Sequence, residues 1–170
     1  MTTAGPKQRH FEDILVGTPL AYGAYLVTKD DIVEFAREYD PQPHHVDEVA
    51  AMLSLTKGLC ASGWHTCAIF MRMLYDGMLA DCAALGASGI DEVKWLKPVR
   101  PGHVLNARST CLEKRLMRSR TGVGICKMHH EIFNQHAELL MIMENSFFIA
   151  VSDPAAAAAG QSATLAGASR

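Results

Sequence analysis

An aspartate and a histidine five residues apart, Asp40 and His45, lie in the stretch Tyr39-Asp40-Pro41-Gln42-Pro43-His44-His45-Val46-Asp47. A carboxylate and an imidazole held side by side can grip one water and move protons in both directions near neutral pH. That work needs placement to a fraction of an ångström, and two prolines stiffen the backbone between the two residues. Taken alone, the same residues also fit a capped, hydrogen-bonded loop between two helices.

A second feature is Ala61-Ser62-Gly63-Trp64-His65, at the start of a long apolar segment. The first N–H groups of a helix have no intrahelical partner and carry the positive end of its dipole. A thioester carbonyl aimed there would be polarised as charge builds on its oxygen. Gly63 has no side chain to block that approach, and Ser62 suits the N-cap. His65 falls in the first turn, where the dipole disfavours a charged imidazole. A neutral ring against a pocket or a partner subunit is expected.

Position for these groups must come from the elements around them. Leu20 to Val27 reads as a strand. Thr28, three residues before Asp31, forms a capping-box variant for a helix carrying Ile32, Phe35, Ala36 and Tyr39. That helix must stop near Asp40, because Pro41 and Pro43 disfavour helix at the residues before them. Asp47 reads as the N-cap of a short helix reaching Leu53. The segment from Trp64 to Leu85 reads as a helix of roughly 30 Å, apolar nearly all round, ended by Gly86 to Gly89. Strands follow at Val93–Val99, Val104–Glu113, Gly122–Phe133 and Glu138–Val151. The expectation is an α+β fold with a long central helix wrapped by a curved antiparallel sheet.

With 170 residues, the chain has room for one cored domain, placed at 11–152. Residues 1–10 read as a loose start and 153–170 as a low-complexity tail. A formal net charge of -2 gives no reason to expect a nucleic-acid or membrane-surface partner. Arg72, Asp76 and Asp81 make the long apolar run a poor membrane span. Five cysteines, an odd number without CxxC spacing, point to buried free thiols and a cytoplasmic setting.

The two features together resemble the MaoC-like dehydratase family, which includes (R)-specific enoyl-CoA hydratases. The resemblance rests on Asp40 and His45 in D-x4-H-x-D, with Pro43 two residues before His45. It rests further on Ala61-Ser62-Gly63 and on the run Gly89-Ile90-Asp91-Glu92-Val93-Lys94-Trp95-Leu96-Lys97-Pro98-Val99-Arg100-Pro101-Gly102. It covers roughly residues 10–150. It implies a hot-dog fold, a homodimer or dimer of dimers, and a site near the dimer interface. It also implies reversible hydration of a trans-2-enoyl-CoA to a 3-hydroxyacyl-CoA. Asp40 and His45 would hold the water, and the Gly63 N–H the thioester oxygen, with Ser62 and Trp64 beside the substrate. No cofactor is implied beyond the CoA of the substrate. Ser62 stands where some relatives carry His, and His44 where an apolar residue is common.

Lys97, Arg100 and Arg120 are candidates for the CoA phosphates, or solvated strand ends. Met71, Met73, Met78 and Leu79 suit the core or an acyl tunnel. His129 and His130, adjacent on a strand, point to opposite faces and would not share a metal; no metal is expected. A hot-dog thioesterase would need a carboxylate on the long helix, where Asp76 and Asp81 lie far from the start. A non-catalytic acyl-CoA-binding subunit is the third reading.

Overall fold

Alternating burial along Val104–Leu116 (β3), Val123–Phe133 (β4) and Leu139–Ala150 (β5) marks strands with one face on a core and one turned away. In this computed structural model, which describes residues 8–155, these three pair in sequence as antiparallel neighbours. Pro19–Leu26 (β1) adds to β3 and Ala84–Trp95 (β2) adds to β5, both antiparallel. The order is β1-β3-β4-β5-β2. Of the loose start expected at 1–10 and the low-complexity tail expected at 153–170, residues 1–7 and 156–170 lie outside the described residues. Arg9, expected in the loose start, is bonded through its backbone to Asp81 and Ala83.

The helix Lys29–Tyr39 (α1) begins with the expected box. The Thr28 side chain accepts from the Asp31 N–H, and Asp31 accepts from the Thr28 N–H. Pro43–Val46 (α2) forms one unexpected turn, with Pro43 at its first position. Asp47 then caps Glu48–Leu53 (α3) by accepting from the Ala50 N–H at 2.8 Å.

The long helix, Gly63–Gly77 (α4), lies against the sheet and buries His65, Thr66, Ile69, Phe70, Met73 and Leu74. Two expectations fail here. The helix stops at Gly77 rather than Leu85, so it spans roughly 22 Å. Gly77 sits so close to Tyr22 of β1 that a Cβ would meet its ring at 2.5 Å. The chain then leaves helical geometry at Met78, makes a 3₁₀ turn over Leu79–Asp81, and enters β2. Gly86 and Gly89 do not end a helix. They lie inside β2, with φ of 123° and 150° around its register shifts, and the strand expected at Val93–Val99 closes at Trp95.

The helix is also not buried all round. Trp64 and Tyr75 are exposed on the face away from the sheet, beside the Arg72–Asp76 ion pair, and Met71 is exposed at the flank. One sheet can cover only one side of a helix, so the apolar surplus is left open. All five cysteines are free, four of them fully buried; burial, mainly, pushes the Cys126 thiol up to about 12. Among the described residues no helix is long and apolar enough to cross a membrane.

Candidate active site

Three segments converge on one cavity of about 420 Å³: the end of α1 with α2, the irregular run Thr56–Ser62 into α4, and the run Trp95–Val99. Asp40 is the C-cap of α1, its N–H bonded to the Ala36 carbonyl. The Gln42 N–H returns to the Asp40 carbonyl, and the His45 N–H to the Gln42 carbonyl. The prolines therefore end one helix and start the next with no slack between the two side chains.

The Asp40 carboxylate receives two side-chain hydrogen bonds. Ser62 Oγ–H donates to Oδ2 at 2.6 Å, and Gln42 Nε2–H donates to Oδ1 at 2.8 Å. The Ser62 bond first, and the Gln42 bond second, hold this carboxyl below the usual carboxylate range, against the opposing pull of its partial burial. Ser62 caps α4 as expected, accepting from the Trp64 N–H at 3.3 Å. It thereby links the helix start to the carboxylate.

His45 is buried, with 6% of its surface exposed. Its Nδ1 lies 2.7 Å from the Cys60 carbonyl, which can only accept. That bond places the ring proton on Nδ1 in the neutral imidazole and leaves a lone pair on Nε2. Nε2 faces Asp40 Oδ2 at 3.5 Å. The two groups are too far apart for a good direct bond and are placed for one small molecule to touch both. A fixed carboxylate beside a bare imidazole nitrogen, at the wall of a cavity, can accept a proton from water and deliver one back.

Gly63 lines the same cavity at the first turn of α4. The space left by its missing side chain is filled by protein. A Cβ there would meet the Trp95 indole at 2.5 Å, and Trp95 Nε1–H donates to the Gly63 carbonyl at 3.0 Å. Trp64 is exposed at the cavity and meets Trp95 edge-on, with 5.6 Å between ring centroids. Sequence reasoning gave no role to Trp95, Gln42 or the Cys60 carbonyl. Trp95 stood inside the quoted motif, and Gln42 stood two residues from Asp40; a backbone carbonyl leaves no sequence signal.

The other candidates separate. Lys97 lines the cavity, exposed and paired with Glu138 at 2.8 Å. Arg100 is turned inward, donating to the Thr56 and Leu59 carbonyls, so its guanidinium is engaged by protein. Arg120 sits on the β3–β4 turn, where β4 begins opposite the end of β5; the cavity lies at the start of β5, where Leu96 bonds Leu140. It is at the wrong end of the sheet. Asp76 and Asp81 do not line the cavity. His44 packs against His45 at 4.1 Å, its pKa lowered chiefly by burial. His65 is neutral-favoured for the same reason. It stacks on Phe35 at 4.6 Å, facing α1 instead of the cavity, and its buried Nδ1 has no hydrogen-bond partner among the described residues. His129 turns to Glu144 and His130 to Ser109, on opposite faces as expected. Met71 and Met78 line a separate, mostly apolar cavity of about 160 Å³ beneath α4.

A helix cradled by this five-stranded sheet, with Asp40 and His45 meeting at the helix start, defines a hot-dog domain. The chain belongs to the MaoC-like family: the profile described as MaoC like domain matches residues 13–131. It is similar to the structure of a MaoC-like dehydratase from Rhodospirillum rubrum, at 35% identity and a TM-score of 0.80, covering 85% of this chain and 99% of that one. It is also similar to the uncharacterized protein YdeM of Bacillus subtilis (strain 168). That match has 32% identity over 113 residues, 66% of this chain and 79% of YdeM. The match to protein MaoC of Klebsiella aerogenes has 27% identity over 120 residues. It covers 68% of this chain but only 34% of that protein.

Proposed function

We propose that this chain is a hydro-lyase that reversibly hydrates a trans-2-enoyl-CoA to a 3-hydroxyacyl-CoA, with Asp40 and His45 handling the water. The observation that carries the reading is the 3.5 Å separation of Asp40 Oδ2 and His45 Nε2 at the wall of a cavity. Membership of the MaoC-like family supports the reaction class.

In the hydration direction, water sits between the two groups. One group takes a proton from the water as its oxygen bonds to C3. The electron pair moves through C2 to the thioester oxygen, where the Gly63 N–H and the helix dipole offset the charge. A proton then reaches C2 from the same face, and the pair returns to its starting state. The Nδ1–H tautomer favours Nε2 of His45 as an acceptor, and the hydrogen-bonded Asp40 carboxylate stays ionised to orient the water. Lys97 at the cavity would meet a CoA phosphate, and the Trp64–Trp95 pair a flat group.

A second copy of the chain is part of this proposal. The edge strand β2 exposes Leu85, Ile90 and Trp95, beside the open α4 face. A homodimer, or a dimer of dimers, would cover both. A cytoplasmic setting fits five free thiols.

The test is loss of enoyl absorbance with trans-2-butenoyl-CoA, then with branched and dicarboxylic enoyl-CoAs. Turnover of any of them supports the reading. Release of CoA without loss of the double bond would replace it with a thioesterase. Binding without turnover would replace it with a non-catalytic acyl-CoA-binding subunit.

A further inference from the structure

The segment Thr56–Ser62 carries both groups that poise the acid–base pair: the Cys60 carbonyl that accepts from His45, and the Ser62 hydroxyl that donates to Asp40. This segment is irregular and belongs to no helix or strand. Something outside it must hold the Cys60 carbonyl in place, because a free loop would let the imidazole turn over or swap its proton.

The Gly58 N–H donates to the Ala51 carbonyl of α3 at 3.0 Å, and two further ties come from adjoining residues. The Ala61 N–H donates to the Val99 carbonyl at 2.8 Å. Arg100 reaches back with two nitrogens, Nη2 donating to the Thr56 carbonyl and Nη1 to the Leu59 carbonyl at 3.4 Å. Its guanidinium is a planar fork, so two bonds to one loop fix orientation as well as distance. The loop is shaped to receive it. Gly58 has φ +142°, and a Cβ there would lie 2.8 Å from Arg100 Nη1. Leu59, whose carbonyl takes that nitrogen, immediately precedes Cys60.

We infer that Arg100 is a positioning residue for His45: its guanidinium clamps the 56–59 loop so that the Cys60 carbonyl keeps the His45 proton on Nδ1 and the Nε2 lone pair toward Asp40. The inference rests on the hydratase reading for its kinetic consequence and on geometry alone for its effect on the ring. An arginine spent on CoA phosphate would face the cavity mouth, as Lys97 does; this one is turned to the loop backbone.

The experiment uses the full chain with Arg100→Ala, Arg100→Lys and Gly58→Ala. Gly58→Ala leaves every charge in place; its Cβ displaces the guanidinium and also strains the loop at φ +142°, so it is read beside the two Arg100 variants. Long-range proton–nitrogen spectra of the histidine rings, with His45→Gln assigning the signal, report which nitrogen of His45 carries the proton. The wild type is expected to show the Nδ1–H form. Each variant that retains the wild-type circular dichroism spectrum is expected to show a mixture of tautomers, with Arg100→Lys least affected. Turnover is expected to fall about ten- to a hundredfold with KM for the acyl-CoA within twofold. A His45 ring that stays in the Nδ1–H form in the folded Arg100→Lys and Gly58→Ala proteins overturns the inference. So does a raised KM with unchanged kcat in either Arg100 variant, which would return Arg100 to the CoA phosphates. If the wild type turns over no enoyl-CoA, the ring spectra still decide the positioning role, and only the hydratase reading falls.

Discussion

His45 and His130 are both nearly sealed from solvent, with 6% and 1% of their surfaces exposed, yet their surroundings are opposite in kind. His45 has one nitrogen fixed by a carbonyl and the other facing a carboxylate across a gap that opens on a cavity. His130 has both nitrogens engaged. Its Nε2–H donates to Asn145 Oδ1 at 3.0 Å, and its Nδ1 accepts from Ser109 Oγ–H at 2.6 Å. Ser109 in turn accepts from the Tyr22 hydroxyl at 2.6 Å. That chain runs in one direction and closes every valence of a neutral ring. Burial lowers the pKa of His130 to about 4, outweighing the Asn145 bond. A buried imidazole is thus not poised for chemistry by burial. It is poised by one valence left open beside a fixed charge.

The sharpest way to break this contrast is to remove the open pair. Asp40→Asn and His45→Gln should each lower turnover of the active enoyl-CoA by about a hundredfold or more. Urea midpoints should move little, since neither change leaves a deep cavity. Steady-state kinetics beside urea melts check both halves. Variants with wild-type turnover would put His45 in the same class as His130.

The closed network should instead register in stability against pH. The folded pKa of His130, about 4, lies below the ordinary histidine value of 6.5. Between those values the unfolded chain binds more protons than the native one. Stability from this group is therefore complete above about pH 6.5 and is lost as pH falls toward 4, by about 3 kcal/mol at the end of the range. Carboxylates held low, such as Asp40, Glu131 and Glu144, add their own loss in acid. The difference between wild type and His130→Gln in urea melts at pH 7.5 and 4.5 isolates the histidine. Parallel losses in both proteins would show that His130 is not held neutral by the fold.

The same contrast explains what was legible in the sequence. Asp40 and His45 are five residues apart, and the prolines that hold them stand between them. The helix cap at Ser62 and the capping box at Thr28 are equally local. His130 draws its partners from Ser109 and Asn145, each on a neighbouring strand, and only the sheet register brings them together. The end of α4 is not legible in the sequence for a related reason. Apolar residues continue to Leu85, but Gly77 meeting Tyr22 is a tertiary event with no periodic signature. The charge of Arg100 is legible in the sequence, while its direction depends on a glycine 42 positions earlier in the chain.

Gly63→Ala tests whether the cavity wall depends on Trp95. The added Cβ would meet the indole at 2.5 Å and displace its bond to the Gly63 carbonyl. Turnover should fall about tenfold, by misplacing the helix-start N–H. Tryptophan emission should shift as Trp95 is pushed outward. Unchanged emission would mean that the wall adjusts elsewhere.

Ser62→Ala produces the smallest effect and separates two duties of one hydroxyl. Ser62 accepts from the Trp64 N–H as an N-cap and donates to Asp40. Losing the cap should cost about 1 kcal/mol of stability, read from urea melts. Losing the donated bond removes the largest influence holding the Asp40 carboxyl low, so its pKa must rise toward the ordinary carboxylate value. If the ionised carboxylate is the working form, the acid limb of the pH–rate profile moves to higher pH, with turnover near pH 8 changed far less. Ser62→Thr keeps the hydroxyl and should restore the limb. A limb that stays in place in Ser62→Ala, while stability falls as for a lost cap, would leave Ser62 a helix cap alone. It would also detach the Asp40 ionisation from the rate.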